Sequence, residues 1–78
     1  MDPLNRVVLD ARGLLCPMPV IRVQERVQGL EAGTLVEALC SDPGALLDIP
    51  AWCRVNGHRV VETRSTEDEH VVVVRVGP

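Results

Sequence analysis

The residue in this chain best suited to chemistry is Cys16, which is followed by Pro17, Met18 and Pro19. A helical pattern begins at Pro17, a residue that fits the first helical position because its missing N–H has no partner there in any helix. That placement makes Cys16 the residue capping the helix, a role Ser, Thr, Asp or Asn fill better. A cysteine where structure alone would favour Ser invites a chemical explanation. Helix N-termini present free N–H groups and the positive end of the macrodipole, and both favour a thiolate over a thiol. Because Pro17 and Pro19 have no N–H, the Met18 N–H is the first-turn donor best placed to meet the sulfur, and the two rings stiffen the backbone that aims it. Arg12, in the same loop, could add positive charge.

The chemistry open to such a sulfur is narrow. There is no Cys-x-x-Cys pair for a self-contained disulfide oxidoreductase. A cysteine protease needs a His and an orienting partner in a substrate cleft, and although His58 and His70 exist, a domain of this size has little room for a cleft. A lone activated thiolate suits covalent carriage between partners, and the group most natural for passage from thiolate to thiolate is sulfane sulfur held as a persulfide.

The positioning elements follow from periodicity. Arg6 to Asp10 reads as a short strand with Val7 and Leu9 on one face. Ala11 to Leu15 is a loop in which Gly13 supplies a backbone angle that other residues resist. Asp10 either ties this loop by hydrogen bonds or ends the strand. Val20, Val23, Val27 and Leu30 form the apolar stripe of the first helix, with Arg22 and Arg26 off it as docking cations or solvated face residues. Gly29 and Gly33 bracket its end. Thr34 to Cys40 reads as a second strand, with Val36 and Ala38 inward and Glu37 toward solvent.

Asp42-Pro43-Gly44 is a turn or cap signal. In the helical stretch Ala45 to Asn56, Pro50 predicts a turn through Leu47, then Asp48 as N-cap with the proline in the first helical turn. Ile49, Trp52 and Cys53 then share a face, with Trp52 as a core anchor. Asn56-Gly57 stops the helix. His58 to Arg64 and Val71 to Val76 are strands joined by the polar turn Ser65 to Glu69, with Val72, Val74 and Val76 inward. Glu67, Asp68 and Glu69 read as a solvated turn, not as an acid–base pair. The order β-α-β-α-β-β predicts an α+β fold, a two-layer α/β sandwich with both helices on one face of a four-stranded mixed sheet. The Val71 to Val76 strand is a candidate sheet edge.

The other cysteines have plainer readings. Cys40 ends the second strand, either as a core residue or as a second sulfur-accepting thiol at the same sheet edge as Cys16. Cys53 is core. A zinc site from Cys16, Cys40, Cys53 and His58 would have 23, 12 and 4 intervening residues, without the close cysteine pair that structural zinc sites use, so no metal is expected.

Composition narrows the classes further. The chain has 78 residues, 46% hydrophobic and 24% charged, which predicts one folded domain over residues 1–78 rather than disorder. Its net charge is −3, and one Trp is the sole aromatic residue. All its basic residues are Arg, so Schiff-base mechanisms are excluded. An acidic chain without stacking aromatics is not built to bind nucleic acid. The opening MDPLNRVVLD lacks the basic and apolar regions of a signal peptide. The longest aliphatic run, Val71 to Val74, is far short of a membrane span. Three unpaired cysteines point to a reducing, cytoplasmic setting.

At these motifs the sequence resembles the TusA family of sulfur carriers, also called SirA-like proteins. The matching segments are Leu9-Asp10-Ala11-Arg12-Gly13-Leu14-Leu15-Cys16-Pro17-Met18-Pro19-Val20, Asp42-Pro43, Asp48-Ile49-Pro50-Ala51-Trp52-Cys53 and Gly57-His58. The resemblance implies the same sandwich, a persulfide on Cys16, and no cofactor. It implies a cysteine desulfurase, a rhodanese-like protein or a transporter-linked protein as sulfur donor, and an accepting protein in tRNA thiolation, molybdenum cofactor assembly or sulfur oxidation. The sequence departs from the tRNA-thiolation carriers at Met18, where they place Glu, and at Leu15, where they place a basic residue. Cys40 stands where the family more often has a small residue such as Ala. The specific relay therefore stays open. The rival reading is a non-catalytic regulatory protein-interaction domain in which Cys16 is incidental.

Overall fold

Val7, Leu9 and Ala11 alternate with the exposed Arg6, Val8 and Asp10 along strand β1 (Arg6–Ala11). The same period of two recurs in β2 (Leu35–Cys40), where Val36, Ala38 and Cys40 are buried and Leu35, Glu37 and Leu39 are half-buried. In the computed structural model, which describes residues 5–78, these strands lie parallel with Leu9 opposite Ala38 and Ala11 opposite Cys40. Part of the segment Met1 to Asp10, read above as carrying no export signal, lies outside the described residues.

The crossover between the two strands is helix α1 (Met18–Val27), which buries Pro19, Val23 and Val27 at four-residue spacing. Helix α2 (Ala45–Asn56) buries Ala45, Ile49 and Cys53 at the same spacing. A hairpin of β3 (Arg59–Ser65) and β4 (His70–Arg75) completes the chain, turned by the Thr66 N–H on the Glu69 carbonyl at 2.8 Å. The sheet order is β1-β2-β4-β3, with β4 antiparallel to both neighbours. Both helices pack on the face carrying Val36, Ala38, Val72 and Val74, which with Val23, Ile49 and Cys53 form the core. The expected two-layer architecture, element order and mixed sheet are thus borne out.

Three local expectations need correction. The valine strand is not an edge, because β4 sits between β2 and β3. Four consecutive apolar residues are the worst sequence to leave unpaired, and an interior position removes that hazard. Val71 and Val73, on the face turned away from the helices, are also buried, at 5% and 0% exposure. Val73 lies between Glu37 and Glu62 in the register, and Arg64 pairs with both carboxylates while Arg6 also pairs with Glu37. The stems of these long side chains cover the valines and leave the charges outside.

Asp48 is not a helix cap either. Helix α2 runs unbroken from Ala45 with Gly44 as its cap residue and Pro50 inside it. The start is fixed upstream, where Asp42 accepts the Gly44 N–H on its side chain at 2.9 Å and the Ala45 N–H on its carbonyl at 3.1 Å. The wholly buried Ala45 and Ile49 then hold the first turn, which offsets the ladder bond that Pro50 cannot donate. The helix ends as expected, with Gly57 at φ 80° beyond Asn56 and the His58 N–H on the Cys53 carbonyl at 2.9 Å. Trp52 is half-buried, packs against the core cluster and stacks on His58 with ring centroids 5.0 Å apart.

The third correction concerns α1, which begins at Met18 with Pro17 rather than Cys16 in the capping position. Its consequence is felt at the sulfur.

Candidate functional site

Parallel pairing of β1 and β2 sets their carboxyl ends side by side, and the loops that leave them meet there. Gly13, at φ 82°, turns the β1–α1 loop and donates its N–H to Ser41 Oγ at 2.7 Å. Two residues before the helix-capping Pro17, Leu15 accepts the Met18 N–H at 2.8 Å. Between these ties the Cys16 N–H donates to Asp42 Oδ2 at 2.8 Å. The peptide bond between Cys16 and Pro17 is cis. The loop is therefore held by side chains of the β2–α2 connection, and Cys16 stands exposed at its end.

The sulfur is engaged by α2 and not by a donor of α1. The Met18 N–H expected to meet it is spent on the Leu15 carbonyl, and the thiol donates to the carboxylate of Asp48 in the first turn of α2. That hydrogen bond raises the Cys16 thiol above its ordinary value, and desolvation and the charges of Asp48 and Asp42 act in the same direction. The expectation of a thiolate stabilised by the helix N-terminus is overturned, because two carboxylates surround the sulfur and the donor meant for it is engaged elsewhere.

Arg12 does not supply the missing positive charge. Its guanidinium is held by Asp10, Nε to Oδ1 at 2.9 Å and Nη2 to Oδ2 at 3.0 Å, with Glu69 at 3.4 Å on Nη1. This fork holds the Asp10 carboxyl down to about 2 and raises Arg12. Asp10 also accepts the Arg12 backbone N–H at 3.1 Å, so of its two expected roles it performs the tying of the loop. On α1, Arg22 lies 3.8 Å from Glu25 and Arg26 occupies the last turn, where a cation suits the helix dipole. Neither arginine is brought to the sulfur by a contact found in the structure.

Exposed apolar side chains flank Cys16. Leu15 is 75% exposed, Leu47, next to Asp48, is 76% exposed, and Met18 in the first turn of α1 is 36% exposed. Pro17 is exposed too, while Pro19 is buried on the inner face of α1. Cys40 and Cys53 lie in the core at 0% and 1% exposure, and burial pushes each thiol up to about 11. Cys40 is therefore a core residue in this arrangement, not a second thiol open at the sheet edge. A cavity of about 600 Å³ beside Gly33, His58, Arg59 and Gly77 lies at the other end of the sheet. Among the described residues, no group of three His, Cys, Asp or Glu side chains converges as a metal site.

Asp42 and Asp48 are the site residues that sequence reasoning missed. Both stood in the segments that carry the resemblance, but their types and positions had been read as helix-capping signals. The Asp-Pro-Gly turn was the available clue, since the side chain that fixes α2 also holds the Cys16 loop.

A family model described as sulfurtransferase TusA matches residues 7–76. A protein of Archaeoglobus fulgidus named as a sulfur carrier is 41% identical over 69 residues, covering 88% of this chain and 94% of its own length. The sulfur carrier protein TusA of Pseudomonas savastanoi pv. phaseolicola is 37% identical over 71 residues, covering 91% of this chain and 84% of its own. Among solved structures, a SirA-like protein from Desulfitobacterium hafniense superposes with a TM-score of 0.79 at 26% identity, over 92% of this chain and 99% of that one. With the family model spanning nearly the whole sequence, from β1 to the residue after β4, the chain belongs to the TusA sulfurtransferase family.

Proposed function

We propose that this protein is a sulfur carrier that takes sulfane sulfur onto Cys16 as a persulfide from one protein and yields it to another. The observation that carries the reading is the contrast among its three thiols: Cys16 is exposed at a loop end between Leu15 and Met18, whereas Cys40 and Cys53 are sealed in the core. A sulfur on an exposed, apolar-flanked surface is open to a thiol presented by another protein, and needs no substrate cleft. The names of the relatives, sulfur carriers from an archaeon and from pseudomonads, support the same role.

The donor is a cysteine desulfurase or a rhodanese-like protein, and the acceptor a protein with a reactive thiol. Leu15 and Met18 contribute apolar docking area beside the sulfur, in place of the charged residues of the tRNA-thiolation carriers. The exposed arginines Arg22 and Arg26 on α1 extend that surface toward acidic groups of a partner.

Intact-mass spectrometry tests the proposal after incubation with a cysteine desulfurase and cysteine, and separately with a rhodanese and thiosulfate. The expected result is a gain of one sulfur atom that a reductant removes and that Cys16→Ser, still folded, fails to acquire. Loading that persists in Cys16→Ser would place the sulfur elsewhere. No loading of the wild-type chain from either donor would favour the non-catalytic interaction domain.

A further inference from the structure

Cys16 and Asp48 are 32 positions apart, so their hydrogen bond is made by the tertiary fold and not by the loop alone. The fold holds both ends of it. Asp42 clamps the Cys16 N–H at 2.8 Å and the Gly44 N–H at 2.9 Å, fixing the loop to the start of α2. Ile49, adjacent to Asp48, is 0% exposed and anchors that first turn in the core.

The charged groups facing the sulfur are Asp48 from α2 and Asp42 from the β2–α2 connection. The first turn of α1 has no acidic residue, and Arg12 from the sulfur's own loop is engaged by Asp10 and Glu69. Asp48 is thus the carboxylate in contact with the reacting atom, with its oxygen already on the proton that must leave. A thiol held in this way is a weak nucleophile until that proton moves. A positioned carboxylate at hydrogen-bonding distance is the geometry of a general base.

Resting on the persulfide reading of Cys16, we infer that Asp48 is the proton acceptor and donor of the sulfur-transfer step. On loading, the Sγ proton passes to Asp48 as Sγ attacks the terminal sulfur of a donor persulfide in its S–SH form. The new Sγ–S bond forms as the donor S–S bond breaks, and the donor sulfur leaves with the electron pair as a thiolate. The proton on Asp48 then goes to that thiolate. The sum is one thiol and one persulfide giving one persulfide and one thiol, with no outside oxidant or reductant. On unloading, the steps reverse: Asp48 takes the proton of the acceptor thiol and returns it to Cys16 as the Cys16 thiolate leaves.

Two rates measured on the same folded variants test this. One is alkylation of Cys16 by a small reagent across pH, which follows the thiolate fraction. The other is single-turnover sulfur uptake from a persulfidated donor protein. In Asp48→Asn the negative charge and the acceptor are both lost, so alkylation at neutral pH is expected to accelerate while sulfur uptake falls by roughly 10²-fold. Asp48→Glu, which displaces the carboxylate by one methylene, is expected to recover part of the uptake. A merely structural role would move both rates the same way. Uptake in Asp48→Asn that is unchanged or faster overturns the inference, as does a parallel fall in both rates. If Asp48→Asn does not fold, the same comparison is read with Asp48→Ser. A wild-type chain that takes up no sulfur overturns the carrier reading itself, whereas equal uptake by wild type and Asp48→Asn overturns only the role of Asp48.

Discussion

Asp42 accepts the Cys16 N–H on one carboxylate oxygen at 2.8 Å and the Gly44 N–H on the other at 2.9 Å, so a single side chain joins the sulfur-bearing loop to the start of α2. These two backbone donors, first Gly44 and then Cys16, hold the Asp42 carboxyl below its ordinary value, with the charge of His70 adding to the effect. A depressed carboxyl stabilises the fold fully above its unfolded value of 3.8, and that contribution is lost as pH falls through the lower folded value. Asp42→Ala is expected to lower the melting temperature by several degrees at neutral pH and to narrow its gap from wild type in strong acid. It also frees the Cys16 loop from α2, so sulfur loading should slow. Melting curves across the acid range check the first part, and the prediction fails if the gap widens toward low pH.

The three thiols make an opposite prediction at the alkaline end. Cys40 and Cys53 are pushed from 9.0 up to about 11 by burial, and Cys16 is raised by its hydrogen bond to Asp48. A thiol raised on folding stabilises the native state fully below its unfolded value, and the stabilisation disappears as pH rises through the folded one. The melting temperature should therefore decline between pH 9.0 and about 11. At neutral pH, alkylation of the native protein should label Cys16 alone and slowly, with Cys40 and Cys53 labelled only after denaturation. Peptide mapping decides this, and equal labelling of all three native thiols would contradict the burial that sets them apart.

How much of this was legible beforehand depends on the range of the interaction. The strand alternation of Val7 and Leu9, the Val36 and Ala38 pair and the Gly57 stop are written in local spacing, and the structure follows them. Cys16 was legible as the candidate sulfur because an N-cap position invites a polar residue. Its environment was not, since the Asp48 contact spans 32 positions and depends on the exact rotation of α2. The rule that places proline in the first turn of a helix displaced the expected start of α2 by one turn, whereas the Asp42 side chain and the buried Ala45 fix it earlier. Tertiary packing overrode the local preference there. The valines of β4 misled for the same reason: their run is apolar on both faces because the apolar stems of Glu37 and Arg64 cover the side the helices leave open.

Ile49 connects stability to the site. It is 0% exposed on the inner face of α2, while its neighbour Asp48 reaches outward to the Cys16 thiol. Ile49→Ala removes three buried methyl or methylene carbons and leaves a cavity, a change that ordinarily costs about 2–5 kcal/mol. A domain of this length has a total stability of roughly 4–12 kcal/mol, so the variant should lose a large share of it. Pro50 adds to the sensitivity, because the helix already lacks the ladder bond of that residue and depends on Ala45, Ile49 and Cys53 for its position. Urea titration should show a strongly reduced midpoint with an unchanged slope. Under conditions where the variant remains folded, Cys16 alkylation should become faster at neutral pH, since α2 no longer holds the Asp48 carboxylate against the thiol. A variant that loses stability but keeps the wild-type alkylation rate would separate the core from the site and show that Asp48 is positioned by some part of α2 other than the Ile49 anchor.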